Sequence, residues 1–296
     1  MPYSVRSDLA LERKELLRDE CTGVSSEENH FGDIKITRIT VENDEGSRRI
    51  GKPCGTYTTI ELPCISQQSE NDEDARTALS VELSRLLPKD GPVLVAGLGN
   101  SDITPDALGP KTIEKILATR HISGELSRSI GLGELRPVAA VSPGVLGKTG
   151  IETAEILSGI VGRVCPSAVI VIDALASRRL ERLGKTVQIS NTGIAPGSGV
   201  GNRRSEISAA SLGVPVISMG VPTVVDALTL AHDILLDDKE VNSGPDEGNG
   251  LSYAAEMMVT PREIDTVISG AAQLMALGIN CTLHPHLTPE ELLLLT

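Results

Sequence analysis

From Pro92 onward, short apolar runs alternate with stretches whose apolar residues recur at helical spacing. Val93-Leu94-Val95-Ala96-Gly97 predicts a buried strand, followed by a helix from about Gly109 to Thr119. Val138 to Val141, Ala168 to Asp173 and Val214 to Met219 predict three more strands. Helices are expected between them, over Gly150 to Val161 and Asn202 to Leu212. Strands apolar on both faces, alternating with helices, indicate an α/β fold: a mostly parallel sheet with helices on both faces. Two stretches break the alternation. Residues 184–201, containing Val187 to Asn191 and the glycine-rich Ala195 to Gly201, read as an insertion, and the polar Leu236 to Asn249 reads as a loop. The chain closes on a helix around Pro261 to Leu277 and an apolar tail, Glu290 to Leu295, for which another subunit is the expected cover.

The pattern before Pro92 differs. Leu9 to Glu20 predicts a short charged helix with Leu9, Leu16 and Leu17 on its apolar side. Ile34 to Val41 alternates as a half-exposed strand does, and the threonine-rich Gly55 to Leu62 suggests a second. The acidic run Glu70 to Asp74 leads into a helix reaching Leu87, its negative first turn favoured by the helix dipole. The division is thus a smaller β-rich accessory region over 9–87 and an α/β core over 88–296.

Composition narrows the function. The formal charge is −13, from 27 basic and 40 acidic residues, so a phosphate backbone is repelled and direct nucleic-acid binding is not expected. One Phe, three Tyr and no Trp leave no aromatic platform for stacking bases. Five cysteines are widely spaced without a CxxC pair, as thiols in a reducing cytoplasm would be. No apolar run approaches the ~20 residues of a membrane helix, and no signal-peptide core opens the chain. A cytoplasmic protein without a membrane partner is expected.

Ligands of a doubly wound sheet bind beyond the carboxyl ends of its strands. Asp106 and Asp173 both fall on that rim. Asp106 alone reads first as a cap at a helix start, and Asp173 equally as a residue bonded to loop amides. Together they supply the acid and base for water attack, because two neighbouring carboxylates cannot both ionise easily. Gly97-Leu98-Gly99 invites a dinucleotide reading, but Asp102 stands where the third glycine belongs, and it would repel a pyrophosphate. The histidines His30, His121, His232, His284 and His286 lie outside the strand-end loops, which leaves a serine or cysteine nucleophile without a base. His284 and His286 read as surface residues. The loop Pro196 to Arg204 could cradle a substrate backbone or an anion.

Read in order, Tyr3 to Ala10, Gly97 to Asn100, Thr104 to Pro110, Ser142 to Val145, Ile172 to Arg178 and Pro196 to Arg204 closely resemble the germination protease family of spore-forming bacteria, over nearly the whole chain. The resemblance implies an aspartic-type endopeptidase, unlike pepsin in fold, that degrades the small acid-soluble proteins coating spore DNA. It implies Asp106 and Asp173 as the catalytic pair and no cofactor. Arg178, Asp226 and Arg203 are the candidates for substrate binding. The fold is similar to that of hydrogenase maturation proteases, whose histidine metal ligand has no counterpart here, so no metal is expected; a metal-dependent maturation peptidase is the alternative. The family is made as a zymogen and cleaves between an acidic residue and a large apolar one, followed by Ala, any residue and Glu. Asp8-Leu9-Ala10-Leu11-Glu12 has that form, so residues 1–8 are the expected propeptide, with cleavage between Asp8 and Leu9. A homotetramer is the expected assembly.

Overall fold

The computed structural model describes residues 6–17, 22–63, 65, 73–129, 131–201, 204–231 and 257–296. Its strands are β1 (Val24–Phe31), β2 (Ile34–Val41), β3 (Gly55–Glu61), β4 (Val93–Gly97), β5 (Val138–Val141), β6 (Ala168–Ser177), β7 (Thr186–Ser190), β8 (Val216–Asp226) and β9 (Met258–Val259). They form one sheet in the order β1-β2-β3-β7-β8-β6-β4-β5, with β9 against β8.

The sheet is mixed, which corrects the expectation of a mostly parallel one. Only β5, β4, β6 and β8 run parallel. From β8 outward, β7, β3, β2 and β1 pair antiparallel. The reversal follows from chain length: a parallel return needs a crossover of a dozen or more residues, and the segment 178–185 is too short for one. Residues 184–201 therefore hold β7, whose five residues are all buried and which joins β3 to β8. The N-terminal strands extend the same sheet through the β3–β7 pairing.

One face of the sheet carries Ile170, Ile172, Ile217, Met219, Val187 and Ile60 beneath the helices Glu73–Ser84 and Ile264–Leu283. The other carries Leu94, Val169, Val171 and Val216 beneath the helix Thr153–Val164. Ile264–Leu283 is the one helix among the described residues long and apolar enough to cross a membrane, yet 67% of its apolar window is buried inside the molecule. It is a core helix.

Several element ends differ from expectation. β6 runs past Asp173 to Ser177, and β8 past Met219 to Asp226. Of the helix expected over Asn202 to Leu212, the described residues form only Ala209–Leu212. β1 was not expected: its Ser-Ser-Glu-Glu-Asn-His interior is almost wholly exposed, as suits a polar edge strand that resists pairing with other chains. His284 is buried rather than at the surface, because it closes the long helix Ile264–Leu283, itself mostly buried, with its N–H on the Asn280 carbonyl; His286 is exposed. The expected loop Leu236 to Asn249 lies outside the described residues.

Candidate active site

Asp173 sits inside β6, at the first position beyond the reach of β4, which ends with Gly97 opposite Ile172. Losing that neighbour opens a notch in the sheet without exposing the carboxylate, which is only 6% accessible. One of its oxygens accepts the N–H of Ala174 at 2.9 Å. Burial pushes its pKa well above the usual carboxylate value, and the charges of Asp106 and Asp8 push it further. Three carboxylates thus share one neighbourhood.

Asp106 reaches this place through close backbone contact. Gly99 holds φ +113, and a Cβ there would stand 2.0 Å from the Asp106 carbonyl oxygen. Gly97 and Gly109 likewise press their backbones together, at 2.3 Å from a Cβ on Gly97 to the Gly109 oxygen. The single helical turn Thr104–Asp106 is thereby packed onto the end of β4. Its aspartate accepts the Asn100 N–H at 2.8 Å. Burial raises the Asp106 pKa, and the Asn100 hydrogen bond opposes the rise.

The third carboxylate belongs to the N-terminal segment. Asp8 donates its N–H to the Ala176 carbonyl and accepts the Ala176 N–H on Oδ2, both at 2.9 Å. Ser198 donates to its Oδ1 at 2.9 Å. The backbone carbonyl of Asp8 accepts Lys52 Nζ at 2.7 Å and Gln188 Nε2 at 3.1 Å. Burial lowers the Lys52 pKa; Asp8 works against that, and Arg13 adds to it. Asp8 therefore reaches from β6 to β7, the two strands that flank β8. Asp173, Gly220 and Gln188 are directly paired across these three strands, so they occupy one row and one face. A cavity of about 190 Å³ opens at the Gly220 and Gln188 end of this row, lined also by Asp8, Lys52 and Ser218, while Asp106 and Asp173 do not line it.

After Leu9 the chain turns helical over Ala10–Glu15. Leu9, Ala10 and Glu12 are fully buried. The Glu12 carboxylate accepts the N–H groups of Arg178 and Arg179 at 2.6 and 3.0 Å and pairs with Arg182 at 3.2 Å.

The sequence profile of the family described as germination protease, Peptidase A25, matches residues 6–237. The chain belongs to the germination protease family. A germination protease of Caldanaerobacter subterraneus subsp. tengcongensis is 48% identical over 97% of each chain. Those of Clostridium tetani and Clostridium acetobutylicum are 45% and 42% identical over 98% of this chain. Among solved structures, the NiFe hydrogenase maturation protease HycI from Thermococcus kodakarensis aligns at TM-score 0.33 and 15% identity, over 66% of this chain and 98% of that one, too distant to carry an argument. Germination proteases are aspartic-type endopeptidases, and so is this chain.

Of the residues predicted from sequence in this germination protease, the structure brings Asp106, Asp173 and Asp8 together. Arg178 joins through its backbone N–H to Glu12. Asp226, 1% exposed, holds the same N-terminal segment by an ion pair with Arg6 at 3.1 Å, and its other oxygen accepts from Thr229. Arg203 lies outside the described residues. Among the described residues no group of three or more His, Cys, Asp or Glu is placed to hold a metal. Lys52 and Gln188 were missed, and Glu12 was expected only as the last residue of the cleavage sequence, without its partners. Gln188 had left a signal, a polar residue alternating with Val187 and Ile189 in what proved to be a strand.

Proposed function

We propose that the chain is an endopeptidase that begins the degradation of small acid-soluble spore proteins, and that Asp106 and Asp173 are its catalytic pair. The observation that carries this reading is the shared neighbourhood of Asp173, Asp106 and Asp8, two rim carboxylates beside the residue that precedes the expected cleavage. Asp173, the more buried and the more strongly raised, keeps the proton and acts as acid. Asp106, half-buried and steadied by an amide, ionises first and takes the proton of the attacking water.

Substrate preference follows from what the N-terminal segment occupies. An acidic side chain meets the Ala176 N–H and the Ser198 hydroxyl. A large apolar residue and an alanine are fully enclosed, and a glutamate at the Glu12 position meets two amides and a guanidinium. A substrate reading acidic, large apolar, Ala, any residue, Glu reproduces each contact. The first eight residues are in this reading a propeptide, removed between Asp8 and Leu9. The chain works in the cytoplasm of the developing spore and the spore core as a homotetramer, a reading supported by Leu294 and Leu295, which stand 88% and 41% exposed on the last helix.

The test is digestion of a purified small acid-soluble protein by wild type, Asp106→Asn and Asp173→Asn. Each variant should lose about 10²–10⁴ in rate, the usual worth of a positioned acid or base. Cleavage at the wild-type rate by either removes that aspartate from the chemistry. Intact mass of wild type after mildly acidic incubation should show a chain starting at Leu9.

A further inference from the structure

The Asp8 carbonyl receives two side-chain donors at once, an ammonium at 2.7 Å and an amide N–H at 3.1 Å. A backbone carbonyl in an ordinary connecting segment is satisfied by one backbone partner or by water, and two long side chains converging on it are an expensive arrangement. The orientation of the Gln188 amide is fixed by chemistry: its Oε1 accepts the Ala10 N–H at 2.7 Å, so its NH₂ must face the Asp8 oxygen. Gln188 therefore grips the chain on both sides of the Asp8–Leu9 bond. It does so from the same row of the sheet as Asp173, with the side-chain-free Gly220 between them.

We propose that Lys52 and Gln188 are the oxyanion-binding pair of this peptidase; the assignment rests on the reading that Asp8–Leu9 is a bond the enzyme cleaves. The water oxygen bonds to the Asp8 carbonyl carbon while Asp106 accepts a water proton. The carbonyl π pair moves onto the oxygen, where Lys52 and Gln188 receive the negative charge. When that pair returns, the bond from carbon to the Leu9 nitrogen breaks, and the nitrogen takes the proton held by Asp173. A carboxylic acid and an amine result, and the aspartate pair still holds one proton. Preorganised donors aimed at the oxygen that gains charge are the larger share of many hydrolytic rate enhancements. With the charge held by this pair, the proton on Asp173 stays available for the departing nitrogen.

The experiment compares full-length wild type, Lys52→Met, Lys52→Arg and Gln188→Glu. One readout is the first-order appearance of the chain starting at Leu9, by intact mass. The other is the split between kcat and KM on added small acid-soluble protein. Lys52→Met and Gln188→Glu should each lower kcat and the self-processing rate by about 10²–10³, with KM little changed, because the donors act on the transition state. Lys52→Arg, which keeps a charged donor, should recover part of the loss. Should Lys52→Met prove unfolded by circular dichroism, Gln188→Glu decides alone, since it is isosteric and keeps the acceptor for Ala10. Processing at Leu9 within about threefold of wild type in both variants overturns the assignment and leaves the aspartate pair untouched. A loss confined to KM overturns it too. A wild-type chain that starts elsewhere than Leu9 overturns both the cleavage reading and this pair.

Discussion

A carboxylate at position 173 gives up its water shell to the sheet and gains Asp106 and Asp8 as like-charged neighbours. Both effects disfavour its ionised form in the folded protein and are absent from the unfolded chain. A folded pKa raised above the unfolded one means stability that is full at low pH and falls as pH rises through the raised value. Asp173→Asn removes this cost with almost no change of shape. The variant should therefore melt a few degrees above wild type at pH 7, and the gap should close as pH falls toward the ordinary carboxylate range. Circular dichroism melts over pH 4 to 8 check it, and a lower melting temperature at pH 7 contradicts it. Asp173 itself was legible in the sequence as an acid at the end of a strongly apolar run. Its burial was not, because the run continues through Ala174 to Ser177 and whether those positions face a neighbour depends on where β4 stops.

At the scale of elements, the site depends on how closely the end of β4 and the turn at Thr104–Asp106 approach. Gly99→Ala forces a left-handed backbone on a residue with a side chain and drives a methyl group into the Asp106 carbonyl. The expected result is a loss of about 1–3 kcal/mol in stability, read from the denaturant midpoint, with at least about tenfold lower kcat as Asp106 moves. Gly147→Ala is the control: no atom lies within 4 Å of its added Cβ, and its stability should stay within about 0.5 kcal/mol of wild type. Equal behaviour of the two variants contradicts the packing account. The β7 strand shows the opposite limit of sequence reading. Thr186 to Ser190 alternates polar and apolar over only five residues, and its role comes from β8 and β3, which pair with its two edges.

At the scale of the whole molecule, a buried histidine makes stability sensitive to acid. His284 is fully buried, neither ring nitrogen has a hydrogen-bond partner, and burial lowers its pKa to about 4, helped by His286 and Arg136. The unfolded chain takes up that proton first, so stability is whole above about pH 6.5 and is lost as pH falls toward 4, on the order of 3 kcal/mol in total. His284→Leu should flatten the dependence of unfolding free energy on pH across that window. An unchanged slope in denaturant titrations at pH 4 to 7 contradicts this.

The sequence by itself determined the α/β character and the family, and put both aspartates at strand ends as candidates, because apolar periodicity and short motifs are local properties of the chain. Only the tertiary structure decided that half the sheet runs antiparallel, and that Lys52, Gln188 and Ser198 gather around Asp8. Those residues are far apart along the chain, and nothing local requires their meeting. It is set by strand order, which depends on which edges are left to pair once the core has closed.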